Sequence, residues 1–218
     1  MTDANPTQAP PGGEPGRAAW PDRIGPYRIL GLLGEGGMGR VFLAREEHPP
    51  REVALKVVRG LSGTAPARLR REIDLLAQLE HPGIVRVYAA GEAEIAGVRA
   101  PWFALEVVRG PDLRAWVERE RPGLDARLRL LVRLCRAVQH AHERGVILRD
   151  LKPGNVLVDA EQQPRILDFG IARLVGEAGG EMTQAGQVLG TLPYMSPEQL
   201  AGHGRDADAR SDVYALGV

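Results

Sequence analysis

Cysteine is nearly absent from this 218-residue chain. Cys135 stands alone, which excludes an internal disulfide and a cysteine-built metal cluster and fits a reducing compartment. Its place in an apolar helical run predicts core packing. Long apolar runs are absent as well. No stretch approaches the roughly 20 residues that cross a bilayer, and the amino terminus lacks the basic-then-apolar order of a signal peptide, so the chain reads as cytoplasmic. Net charge is also missing: 28 basic residues face 28 acidic ones. No overall field recruits nucleic acid or an anionic membrane, and any phosphate binding has to be local. What remains is a soluble, globular composition, long enough for one large domain or two small lobes.

The scarcest cation is lysine. Lys56 and Lys152 are the only two, against 26 arginines. Arginine is the ordinary cation here, so the two lysines mark places where a compact, flexible ammonium is needed rather than a planar fork. Asn155 is likewise the only asparagine beyond the first few residues.

Eight of the first 23 residues are proline or glycine, so residues 1–26 read as a flexible tail that cannot bury enough apolar surface to offset ordering. From Tyr27 the pattern becomes strand, glycine-rich turn, strand, loop, strand, ending on Val53 to Val58. Leu69, Ile73, Leu76 and Leu79 recur at helical spacing after Thr64 and Pro66. Gly83 to Tyr88 and Trp102 to Val107 are shorter runs that fit two more strands. A second region opens near Asp112, where Leu128, Leu131, Cys135, Val138 and His142 step along one helix face that Gly145 terminates. Short apolar runs follow at Val146 to Leu148, Val156 to Val158 and Ile166 to Leu167. A small strand-rich lobe thus precedes a helical one.

Three stretches carry chemistry. Gly34-Glu35-Gly36-Gly37-Met38-Gly39-Arg40-Val41 places glycines where a backbone could approach phosphates unobstructed. A glycine-rich hairpin with no ligand fits this stretch equally well by itself. Val53-Ala54-Leu55-Lys56 puts a lysine on a strand, and Glu72 on the following helix could hold its ammonium against phosphates. Leu148-Arg149-Asp150-Leu151-Lys152-Pro153-Gly154-Asn155 brings a carboxylate, an ammonium and an amide into one loop. Asp168-Phe169-Gly170 adds a second carboxylate, and Asp168 with Asn155 makes an oxygen pair suited to magnesium.

Taken in order, these stretches resemble the eukaryotic-type protein kinase family, particularly its bacterial serine/threonine members, across Tyr27 to Val218. The resemblance implies an α+β, bilobal fold: an antiparallel, strand-rich N-lobe with one helix over about 27–107, and a mainly helical, partial C-lobe over about 108–218. It implies that Leu33 and Gly34 to Val41 cover the phosphates of ATP, and that Lys56, paired to Glu72, orients them. Val41, Ala54 and Leu157 would sandwich the adenine, Glu106 and Val108 would meet it through hinge backbone, and Leu105 would be the gatekeeper. Asp168 and Asn155 would hold Mg2+. Asp150 would accept the proton of the attacking hydroxyl, and Lys152 would neutralise charge on the transferring phosphate.

Lys152, two residues after Asp150, together with Gly190-Thr191 before Ser196-Pro197-Glu198, resembles the serine/threonine branch, with Thr191 bridging Asp150 and Lys152. The implied partners are proteins offering serine or threonine hydroxyls, and a second copy of the chain for autophosphorylation. Arg149 implies control by phosphorylation, with Thr183 as the first candidate site. The chain departs from the family at Leu148, where a histidine is usual, so a polar contact toward Asp212 should be lost. His140 and His142, two apart on a helix, should face different ways. The family continues beyond the segment matched by Asp212 to Val218. The C-lobe is therefore expected to be truncated, Glu198 to lack its arginine partner, and residues 1–218 to be poorly soluble and weakly active. A nucleotide-binding module that transfers nothing is the competing reading.

Overall fold

The computed structural model describes residues 20–36, 39–58, 75–95, 97–167, 192–201 and 208–218. Six strands come first: β1 (Arg23–Ile24), β2 (Tyr27–Gly36), β3 (Gly39–Glu47), β4 (Pro50–Val58), β5 (Val87–Ile95) and β6 (Val98–Leu105). They form one antiparallel sheet in the order β1-β2-β3-β4-β6-β5. Strand β4 shows why the sequence folds this way. Its side chains alternate between two apolar layers, Val53, Leu55 and Val57 on one face, Ala54 and Val58 on the other, so a one-residue slip would exchange the faces and break both layers.

The outer layer includes residues that precede Tyr27. Residues 20–26, read as part of a flexible tail, pair and pack: Ile24 and Tyr27 are buried beside Phe42 and Trp102. Trp20 lies against Phe42, with ring centroids 5.9 Å apart. The proline and glycine content hid a short apolar plug. Strands β5 and β6 are also displaced from expectation. Ile84 bridges to Ile166 rather than joining β5, and β5 begins at Val87 and runs through alanines and glutamates whose weak alternation did not read as strand. Strand β6 starts at Val98 and ends at Leu105, short of Val107.

The second region begins as expected at Asp112, whose carboxylate accepts from Ala115 N at 2.8 Å and caps helix α1 (Leu113–Glu120). Helix α2 (Leu124–Glu143) follows and closes at Gly145, which sits at φ 73° and donates to the His142 carbonyl. Its buried stripe is Leu130, Leu134, Ala137, Val138 and Ala141. The stripe anticipated from sequence shares only Val138 with it. Leu128 and Leu131 are exposed, and Cys135, expected in the core, is exposed too. Leu124, Leu128, Leu131, Val132 and Cys135 form a second apolar line on the same helix, and periodicity alone does not say which line meets the core.

Two short strands, β7 (Val156–Val158) and β8 (Pro164–Ile166), pair antiparallel. Val146 and Leu148 are buried and Ile147 between them is half-buried, but the three form no strand. Helices α3 (Pro197–Leu200) and α4 (Ala209–Gly217) complete the described chain. Of the helix expected between Thr64 and Leu79, residues 75–77 are helical and Leu76 and Leu79 are buried, while Leu69, Ile73 and Glu72 lie outside the described residues. One apolar cluster joins the sheet to the helical region, reaching from Leu33 and Val41 through Leu105 and Val108 to Leu134, Leu157 and Ile166.

Candidate active site

The glycine-rich stretch forms the β2–β3 hairpin, its last pair being Gly36 with Gly39, and Glu35 faces Arg40 with carboxylate and guanidinium 3.1 Å apart. Gly37 and Met38, at its tip, lie outside the described residues. Gly39 sits at φ 142°, and a Cβ there would fall 1.9 Å from the Val57 carbonyl oxygen. At this position, then, the glycine is needed for close approach to the neighbouring strand as well as for whatever lies beneath the hairpin. Gly34 pairs with Val41 after an irregular register step, and Val41 pairs in turn with Lys56 on β4. Lys56, half-buried, therefore stands on the sheet beside the hairpin, between Val41 and Phe103. Its expected partner Glu72 is not among the described residues.

Below the hairpin, the residues assigned to the adenine come together. Leu33, Val41, Ala54, Leu105, Val108 and Leu157 all belong to the inter-lobe cluster. Ala54 opposes Leu105 across β4 and β6. Leu157 on β7 bridges to Asp112 at the start of α1. Glu106, assigned only a backbone role, also has work for its side chain: the carboxylate accepts from Arg86 N and pairs with the Arg165 guanidinium of β8. That contact links the hinge to the second sheet, and Arg165 also lies 3.9 Å from Asp159. Sequence spacing gave no signal for it.

Asp150 is 5% exposed and is the centre of the polar group. Asn155 Nδ2 donates to its carboxylate at 2.9 Å and to its carbonyl at 2.7 Å. Lys152 Nζ lies 3.2 Å from the same carboxylate oxygen. A short 3-10 turn over Pro153–Asn155 brings the amide back toward the aspartate. The Asn155 carbonyl accepts from Leu167 N at 2.9 Å, which fixes the residue just before Asp168. Asp168 itself, Thr183 and Thr191 lie outside the described residues.

The loop before Asp150 is held by Asp212, which is 1% exposed. Its carboxylate accepts from Leu148 N at 2.9 Å, Arg149 N at 2.8 Å and the His142 ring at 2.7 Å. The polar contact expected to vanish with leucine at 148 is thus present in two other forms, the Leu148 backbone and the His142 imidazole. His142 and His140 do part company: His140 packs against His81, with centroids 5.0 Å apart and the rings tilted by 41°. Burial pushes both His81 and His140 below the ordinary imidazole range. Glu198 has a hydroxyl partner. The Ser211 hydroxyl donates to it at 2.6 Å, and that bond holds the carboxyl below its usual range.

Comparison with known proteins agrees with this arrangement. The model of the protein kinase domain matches residues 27–218. The serine/threonine-protein kinase PknB of Mycobacterium tuberculosis is 42% identical over 195 residues, covering 88% of this chain and 31% of the relative. A probable serine/threonine-protein kinase of Streptomyces coelicolor is 41% identical over 202 residues, covering 90% and 30%. The chain spans about a third of the length of these curated relatives. A crystal structure of the Mycobacterium tuberculosis PknI kinase domain, in a cysteine-to-alanine mutant, superposes with a TM-score of 0.65 at 29% identity, covering 89% of this chain and 71% of that one. The antiparallel sheet and the helical region that follows it are therefore those of a protein kinase domain, and the chain belongs to that family, among its bacterial serine/threonine members.

Proposed function

We propose that this chain is the catalytic domain of a serine/threonine protein kinase that transfers the γ-phosphate of ATP to protein hydroxyls. The observation that carries the reading is the nearly buried Asp150 carboxylate, with the Lys152 ammonium and the Asn155 amide on one oxygen. A carboxylate so placed orients a hydroxyl and takes its proton as the oxygen attacks, and the ammonium beside it offsets charge gathering on the phosphoryl oxygens. Lys56, carried by the sheet next to the hairpin, supplies the cation for the α and β phosphates. The Asn155 amide spends its Nδ2 on Asp150, so Oδ1 is the donor atom it offers a cation. A neutral amide oxygen and the Asp168 carboxylate are hard ligands that fit magnesium, which when bound supplies charge neutralisation across the phosphates. Thr183 as an activating phosphosite read by Arg149, and Thr191 as a bridge from Asp150 to Lys152, belong to the same proposal.

The test is magnesium-dependent transfer of labelled γ-phosphate to a serine-rich protein, with Asp150→Asn as the control. Loss of a positioned general base lowers the rate by about 10²–10⁴-fold. Transfer no greater than that of Asp150→Asn, alongside retained nucleotide binding, would instead establish the binding-module reading.

A further inference from the structure

Arg149, the residue before Asp150, has φ 62°. A non-glycine residue persists in this left-handed region only where its surroundings hold it there. On its amino side the hold is the Asp212 carboxylate, which accepts from Arg149 N. On its carbonyl side it is a side chain from a segment 50 residues away: Gln199 Nε2 donates to the Arg149 carbonyl at 2.9 Å. That carbonyl belongs to the same rigid peptide plane as the Asp150 N–H, and Asp150 N closes a tight turn onto the Leu148 carbonyl at 2.8 Å. Whatever fixes the Arg149 carbonyl therefore fixes the direction in which the Asp150 side chain leaves the loop.

The same amide has a second task. Gln199 Oε1 accepts from Ser196 N at 3.1 Å and from the Ser196 hydroxyl at 3.3 Å, so one side chain completes the capping box at the start of α3 and straps the catalytic loop. Ser196 is fully buried, which anchors the amide. The two ends of the amide are chemically separate: the oxygen serves α3, and the nitrogen serves the loop.

We infer that Gln199 is a positioning residue for Asp150, aligning the catalytic carboxylate through the Arg149 carbonyl and tying that alignment to the segment Ser196–Leu200. This inference rests on the kinase reading. Gln199→Glu separates the two tasks, because a carboxylate still accepts from Ser196 but, when ionised, offers no donor to Arg149. Ser196→Ala weakens the cap and leaves the donor in place. In the full chain, Gln199→Glu is expected to lower kcat about tenfold at pH 7.5 with KM for ATP unchanged. The deficit relative to the parent should shrink as pH falls toward the ordinary carboxylate range, where the protonated acid can again donate. Ser196→Ala should lose less than threefold, without pH dependence.

Hydrogen exchange over residues 148–151 gives a reading independent of catalysis. It should quicken in Gln199→Glu and stay at the parent rate in Ser196→Ala. Parent-like kcat, or a loss that is pH-independent and matched by Ser196→Ala, overturns the inference. So does unchanged exchange in Gln199→Glu. A parent without transfer activity would instead count against the kinase reading, with the exchange measurement still deciding the role of Gln199.

Discussion

The sheet proposed to cradle the nucleotide and the loop proposed to carry catalysis are positioned by different physics. The cradle is a sheet: Val41, Ala54 and Lys56 take their places from strand register, and each is fixed by neighbours directly across β3, β4 and β6. The loop has no ladder of its own beyond a three-residue turn. Asp150 is placed by polar side chains from elsewhere in the chain, Asp212 at its amino side, Gln199 behind it and Asn155 in front. Errors in the cradle are averaged over many strand pairs, whereas errors in the loop fall on single hydrogen bonds. The loop should therefore be the more fragile of the two per substitution.

The largest effect should come from Asp212→Ala. It strands the Leu148 and Arg149 N–H groups in a buried place, at roughly 1–3 kcal/mol each. Stability measured by urea unfolding should fall by about 4 kcal/mol, and phosphate transfer by about a hundredfold even where the protein remains folded. Gly39→Ala comes next. Its Cβ would collide with the Val57 carbonyl at a backbone angle unfavourable to alanine, so a loss of roughly 3 kcal/mol is expected, with KM for ATP rising more than kcat falls. If Gly39→Ala damages kcat more than Asp212→Ala does, the contrast between register and tether is wrong.

The smallest effect lies away from both regions, at the tilted ring pair His81 and His140. Burial holds each below its ordinary value, so in acid the unfolded chain takes up protons before the folded one does. Stability contributed here is full above the ordinary imidazole value and declines as pH drops below it. Urea midpoints at pH 7.5 and 5.5 should differ less in His140→Gln than in the parent. An unaltered difference would show that other groups carry the acid response.

The same contrast explains what could be read from the sequence. The run Val53 to Val58 read as a strand because a strand buried on both faces carries apolar residues at consecutive positions. Family motifs named Asp150, Lys152 and Asn155, and the structure brings these three together. The edge strand β5 was misplaced because its alanines and glutamates alternate weakly. Helix α2 carries two apolar lines, so Leu128, Leu131 and Cys135 looked as core-like as Leu130, Leu134 and Ala137 do. His142, Ser211, Arg165 and Gln199 gave no signal, since each acts on a residue at least 13 positions away in the chain. Local pattern carries no information about such pairings.

The backbone of Ile166 exchanges hydrogen bonds with Gly83 and Val85, of 2.9 and 3.0 Å, while Val158 N bonds to the Pro111 carbonyl at 2.9 Å on the strand paired with β8. The segment leading into β5 is thus tied by its main chain to β8, and β7 is tied to the linker through residues 106–112. Bonds between backbone groups do not depend on side-chain identity, so this tie should survive substitution at Ile84 or Ile166 better than a side-chain contact would.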